Sequence, residues 1–95
     1  MSRQPNSSDL LLQELVRTLA DNNAHADADM LQSAANAGEY AGGFDYAMLA
    51  FEDLGLKPDP RLIQSVLDSP WCEKDSYADV IGHELLGKTE ASVAS

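Results

Sequence analysis

The sequence predicts an all-α fold, a compact bundle of about five short helices. Three observations lead there. Apolar residues recur at the three- and four-residue spacing of a helix face, and no stretch alternates apolar with polar as a half-buried strand would. Short Gly, Pro and Asn breaks separate the apolar blocks, which favours antiparallel or obliquely crossed neighbours. With 95 residues the chain has room for one core, so residues 1–95 are read as a single domain.

The first helix is expected to be capped by Ser7 or Ser8, with Asp9 where the helix dipole favours negative charge. Its stripe is Leu11, Leu12, Leu15, Val16 and Leu19, ending near Ala20. After Asp21-Asn22-Asn23, a second helix from about Asp27 to Ala37 places Met30, Leu31, Ala34 and Ala35 on one face. Gly38 supplies the left-handed residue that closes it. The third stripe, Phe44, Ala47, Met48, Phe51 and Leu54, is the clearest, and Gly55-Leu56 reads as a glycine stop with its hydrophobic contact. Asp59-Pro60 is a cap followed by proline at the first helical position. It opens a fourth helix with Leu62, Ile63, Val66 and Leu67 inward and Pro70 closing the segment. Asp75 or Ser76 caps a fifth helix carrying Tyr77, Val80, Ile81, Leu85 and Leu86, stopped by Gly87. Residues 1–6 and Lys88–Ser95 are expected to be frayed ends, polar and without a periodic pattern.

Composition narrows the function classes. Sixteen acidic residues against six basic ones give a formal net charge of −10, which argues against nucleic acid or an anionic membrane as the direct ligand and favours a positively charged partner. A single cysteine, Cys72, allows no internal disulfide and no thiolate metal framework. The chain lacks a signal-like apolar stretch and any apolar run long enough to span a bilayer, so a cytoplasmic location is expected.

The motifs that could carry chemistry fail on spacing. His83-Glu84 opens like a zinc-protease helix, but the second histidine one turn later is replaced by Gly87. Asp27-Ala28-Asp29 resembles the start of a calcium loop. Counting on from Asp27, however, the required glycine and glutamate are Gln32 and Gly38. Asp75-Ser76 resembles the attachment site of acyl carrier proteins, yet Tyr77 replaces the usual leucine and 19 residues after Ser76 leave no space for two further helices. Gly42-Gly43 has neither the preceding strand nor the lysine of a phosphate loop. No catalytic residue, metal or cofactor is therefore expected, and the chain reads as a binding protein.

The carboxylates gather in the middle and C-terminal parts, interleaved with aromatic residues. Acids can steer a basic partner, and aromatic side chains bury large area with few rotamers. The candidate partner-binding residues are Glu39, Tyr40, Asp45, Tyr46, Glu52, Asp53, Trp71, Glu73 and Asp75. The competing readings are a solvated acidic face and aromatic core packing.

Asn36-Ala37-Gly38-Glu39-Tyr40, followed by Tyr46-Ala47-Met48-Leu49-Ala50-Phe51-Glu52-Asp53-Leu54, resembles small helical bacterial immunity proteins of the MafI type and of contact-dependent growth inhibition systems. Members of that group carry an Ala-Gly-Glu-Tyr turn entering an alanine-containing helix, and the similarity covers roughly residues 27–86. The resemblance implies an immunity protein that neutralises a cognate toxin's C-terminal domain, a basic RNase or DNase, by covering its substrate groove. Glu39 and Tyr40 match the turn directly. The alternatives are an acidic regulatory or adaptor domain, such as a nucleic-acid mimic that binds a basic protein, and an acyl-carrier-like protein.

Overall fold

The computed structural model describes residues 7–94, with side chains described over 7–87. The described residues form five helices: α1 (Ser7–Asp21), α2 (His25–Asn36), α3 (Tyr40–Leu54), α4 (Pro60–Leu67) and α5 (Tyr77–Ala94). Among the described residues there is no strand. All five helices feed one buried cluster: Leu12, Leu15 and Leu19 from α1, Leu31 from α2, Phe44, Met48 and Phe51 from α3, Ile63 and Val66 from α4, and Ile81 and Leu85 from α5. Helix α1 packs on α2, α3 and α4, and α5 packs on α3 and α4.

Three consecutive helices end in the same way. Asn23, Gly38 and Gly55 each take positive φ (65°, 71° and 67°), the region where Gly and Asn carry the least steric cost. Each reversal aims two amides back at the last turn. The pairs are Asn23 to Ala20 and Ala24 to Leu19, Gly38 to Ala35 and Glu39 to Ala34, and Gly55 to Glu52 and Leu56 to Phe51. The carbonyls left free at each helix end are thereby satisfied, and the chain turns tightly enough for α1, α2 and α3 to stack. Helix α4 starts as its sequence implies: Asp59 Oδ1 accepts the Arg61 amide at 2.9 Å, with Pro60 in the first turn. That backbone hydrogen bond, together with the Arg61 side chain, holds the Asp59 carboxyl below its ordinary range.

Several sequence expectations need correction. Helix α1 already includes Ser7, so both serines lie inside it and Ser8 is buried; the residue before Ser7 is outside the described residues. Helix α2 begins at His25 after Ala24, with no side-chain cap, because the turn at Asn23 restarts the chain immediately. Met30 points away from the core at 59% exposure, and Ala28 joins Leu31 inside instead. Helix α3 starts at Tyr40 and runs through both glycines. Gly43 is buried, and a Cβ there would lie 2.9 Å from Leu12 Cδ2 and 3.5 Å from Leu31 Cδ1. The missing side chain is what lets α1 and α2 approach α3. Leu54, expected on the α3 stripe, is 45% exposed in the last turn.

Helix α5 departs most from expectation. Its inward residues are Ala78, Ile81 and Leu85, with buried Gly82 beneath Leu67 of α4; a Cβ at Gly82 would lie 2.8 Å from Leu67 Cδ2. Close approach of two helices selects small residues, so the buried face is rotated away from Tyr77 and Val80, which are 63% and 47% exposed. Nor does Gly87 stop the helix, which continues to Ala94. Glycine terminates a helix by taking positive φ, and Gly87 does not; Lys88, Glu90, Ala91 and Ala94 are residue types that favour helix. Ser95 is outside the described residues, as are residues 1–6.

Candidate functional site

The candidate residues divide into three groups around α3. The first is an aromatic corner. Tyr40, the first residue of α3, donates its hydroxyl to Asp9 Oδ1 of α1 at 2.7 Å, tying the two helix starts together. Its ring lies 5.2 Å from that of Trp71, tilted by 46°, a favourable edge-and-face arrangement. Trp71 sits in the α4–α5 connection, where its amide bonds Ser69 Oγ at 3.2 Å, and its indole is 46% exposed. Glu39, next to Tyr40, and Glu73, two residues after Trp71, are both exposed.

Tyr46 belongs to a second group, on the side of α3 that meets α2. It donates its hydroxyl to Asp27 Oδ1 at 2.6 Å. The hydrogen bond to Asp27, followed by burial and the carboxylate's charge, pushes the Tyr46 hydroxyl up to about 12. This half-buried pair is a tie between helices, with Asp27 as the acceptor for Tyr46.

The third group joins α3 to the start of α5. Asp45 Oδ1 accepts the amide of Ala78 at 2.8 Å, so a carboxylate from α3 caps α5 from across the fold. Ser76 Oγ accepts the Asp79 amide at 3.2 Å, and Asp79 Oδ2 accepts the Asp75 amide at 2.9 Å, a reciprocal arrangement close to a capping box. Asp75 itself takes positive φ, 66°, which its short polar side chain tolerates. Negative charge is favourable at this helix end, so Asp45 and Asp79 act within the fold. Cys72 is half-buried nearby. Burial chiefly pushes its thiol up, aided by Asp79 and Asp45 and opposed by a hydrogen bond with Ser76, which disfavours the reactive thiolate.

Glu52 and Asp53, about two turns beyond Asp45, are exposed and have no ion pair with a described residue, and the same holds for Glu73. Cations do little to neutralise them: Arg17 pairs with Glu14 at 3.3 Å and Arg61 with Asp59 at 3.4 Å, both locally. Exposed apolar side chains accompany these acids. Leu49 of α3 is 39% exposed, and Tyr77 and Val80 of α5, expected in the core, face solvent. The apolar pattern of α5 did not separate this set from the core, because Tyr77 and Val80 fall at helical spacing with Ile81 and Leu85. Small residues four apart, Ala78 and Gly82, were the available signal for the contact face.

His83 Nδ1 lies 2.8 Å from the Asp79 carbonyl oxygen and 3.2 Å from Asp79 Oδ1, one helical turn back. Among the described residues no group of three or more His, Cys, Asp or Glu could hold a metal ion, and no helix is long and apolar enough to cross a membrane. The chain matches no protein-family model, no curated protein and no solved structure.

Proposed function

We infer that this chain is an immunity protein, which binds the C-terminal domain of a cognate bacterial toxin and blocks its basic, nucleic-acid-binding surface. One observation carries the reading. Exposed aromatic and apolar side chains, Leu49 on α3, Trp71 in the α4–α5 connection and Tyr77 and Val80 on α5, occur in the same part of the chain as exposed carboxylates with no ion pair to a described residue, Glu52, Asp53 and Glu73. Apolar anchors supply contact area, and unpaired acids supply steering and charge complementarity to a cationic groove. A nuclease uses such a groove for phosphates, so covering it inhibits without chemistry. The resemblance of Asn36–Tyr40 to the Ala-Gly-Glu-Tyr turn of immunity proteins supports the same reading.

Co-expression with the toxin domain encoded beside the gene is the test. Co-purification and rescue of growth are expected, and neither occurring would sink the proposal. Association should also slow with salt, and charge reversal at Glu52 and Asp53 should slow it most at low ionic strength. Asp45 is unsuitable for that experiment because its carboxylate holds the α5 terminus.

A further inference from the structure

We propose that the outer face of the α3/α5 pair, centred on Leu49, Tyr77 and Val80, docks a cationic amphipathic segment of a protein partner. This rests on the binding role inferred above and assigns it a place. The geometry follows from contacts on either side of each helix. Gly43 faces Leu12 and Leu31, so α1 and α2 lie on that side of α3; Asp45, reaching the Ala78 amide at 2.8 Å, marks the side facing α5. Leu49 lies one turn beyond Asp45 on the same stripe. On α5, Gly82 faces Leu67 of α4, while Ala78, Ile81 and Leu85 face the core. Tyr77, Val80 and Glu84, at i, i+3 and i+7, then lie on the flank away from α4, toward α3.

The apolar centre is therefore built from two helices. Its exposures are 63% for Tyr77, 47% for Val80 and 39% for Leu49. Exposed Glu52, Asp53 and Glu84 surround it, none ion-paired with a described residue. Charge complementarity selects the occupant. A second copy of this chain would bring like charges together, since each carries a formal −10. A segment presenting Leu- or Ile-like side chains flanked by Lys or Arg satisfies both the centre and the rim.

The full chain, isotope-labelled, would be titrated with two synthetic helical peptides of equal charge, one alternating leucine and lysine faces and one with lysine and alanine. The largest amide shift changes are expected at Leu49, Tyr77 and Val80 with the leucine peptide. Tyr77→Ala combined with Val80→Asp should weaken its binding about tenfold or more. Met30→Ala, at an equally exposed apolar residue on α2, should change it less than about twofold, as a residue outside the contact does. Shifts centred on Trp71 and Tyr40, or equal binding of the alanine peptide, would overturn the assignment. The neighbouring toxin separates the two readings. If it co-purifies equally with the Tyr77/Val80 double variant, this face is not the docking face and the immunity role stands. If it ignores the wild type while the leucine peptide still maps to Leu49, Tyr77 and Val80, the face stands and the immunity role falls.

Discussion

On the side of α3 that meets α1 and α2, aromatic and acidic residues are spent on one another. Tyr40 holds Asp9, Tyr46 holds Asp27, and Gly43 admits Leu12 and Leu31. On the side that meets α5 the same residue types remain open to solvent: Leu49 on α3 and Tyr77 and Val80 on α5, with Glu52, Asp53 and Glu84 unpaired by described cations. Asp45 is the exception there, committed to the Ala78 amide. The contrast separates two uses of acidic and aromatic residues that composition cannot distinguish. Where both partners are present the pair ties helices together, and where one is absent the surface is available to another molecule.

The sharpest way to break that comparison is truncation on each side. Leu12→Ala removes a fully buried side chain lodged against Gly43 and should cost about 2–5 kcal/mol of unfolding free energy in urea denaturation. Leu49→Ala should stay within about 0.5 kcal/mol, as exposed substitutions do. A large loss at Leu49 would make the outer face part of the core.

Next in size is the α5 cap. Asp45→Ala leaves the amide of buried Ala78 without its acceptor and should cost about 1–2 kcal/mol. Asp45→Asn retains an acceptor oxygen and should recover most of it. Hydrogen exchange at the Ala78 amide checks the mechanism directly: it should accelerate in the alanine variant and stay near wild type in the asparagine one.

These contacts also show which parts of the fold the sequence could reveal. Helices α1, α3 and α4 were legible because wide apolar stripes and local punctuation agreed, as with Gly55 at φ 67° and Asp59 bonding Arg61 two residues on. Gly87 misled, since a glycine in sequence does not say whether it ends a helix, as Gly55 does, or sits within one, as Gly43 and Gly87 do. The site was less readable still. Tyr40 and Asp9 are 31 residues apart, Tyr46 and Asp27 19 apart, and Asp45 and Ala78 33 apart. No local pattern encodes partners brought together only by packing: Tyr40 and Tyr46, weighed as partner contacts or as core packing, tie helices together through Asp9 and Asp27, and Val80, placed with Ile81 and Leu85 on the fifth helix, is exposed.

Paired substitutions at the adjacent glycines sharpen the inner side further. Alanine gains about 1 kcal/mol over glycine in a helix interior. At Gly42 nothing lies within 4 Å of the added Cβ, so Gly42→Ala should stabilise by up to about 1 kcal/mol. At Gly43 the Cβ meets fully buried Leu12, which has little room to yield, and overpacking of about 1–3 kcal/mol should reverse the sign to a net loss of about 1 kcal/mol. Thermal or urea melts that move the two variants in the same direction would refute the close approach of α1 to α3.

The smallest expected effect is at Tyr46, and it is diagnostic through its pH dependence. Its hydroxyl donates to the Asp27 carboxylate; an ionised phenolate would lose that donor and face a like charge, so its pKa rises from the ordinary 10.0 to about 12. The folded chain therefore holds this proton more tightly than the unfolded chain. Its contribution to stability is fully present below pH 10.0 and is lost as pH rises through about 12. Tyr46→Phe removes the bond at the cost of about 0.5 kcal/mol, the low end for a hydrogen bond at a half-exposed site. The stability gap between wild type and Tyr46→Phe should then be flat from neutral pH to just below 10 and close as pH rises above 10, as followed by urea midpoints at each pH. A gap that instead widens with pH would mean that Tyr46 does not donate to Asp27, and the α2–α3 tie would have to be reassigned. The same variant should bind the partner as tightly as wild type, because the inner side is already occupied by its own residues.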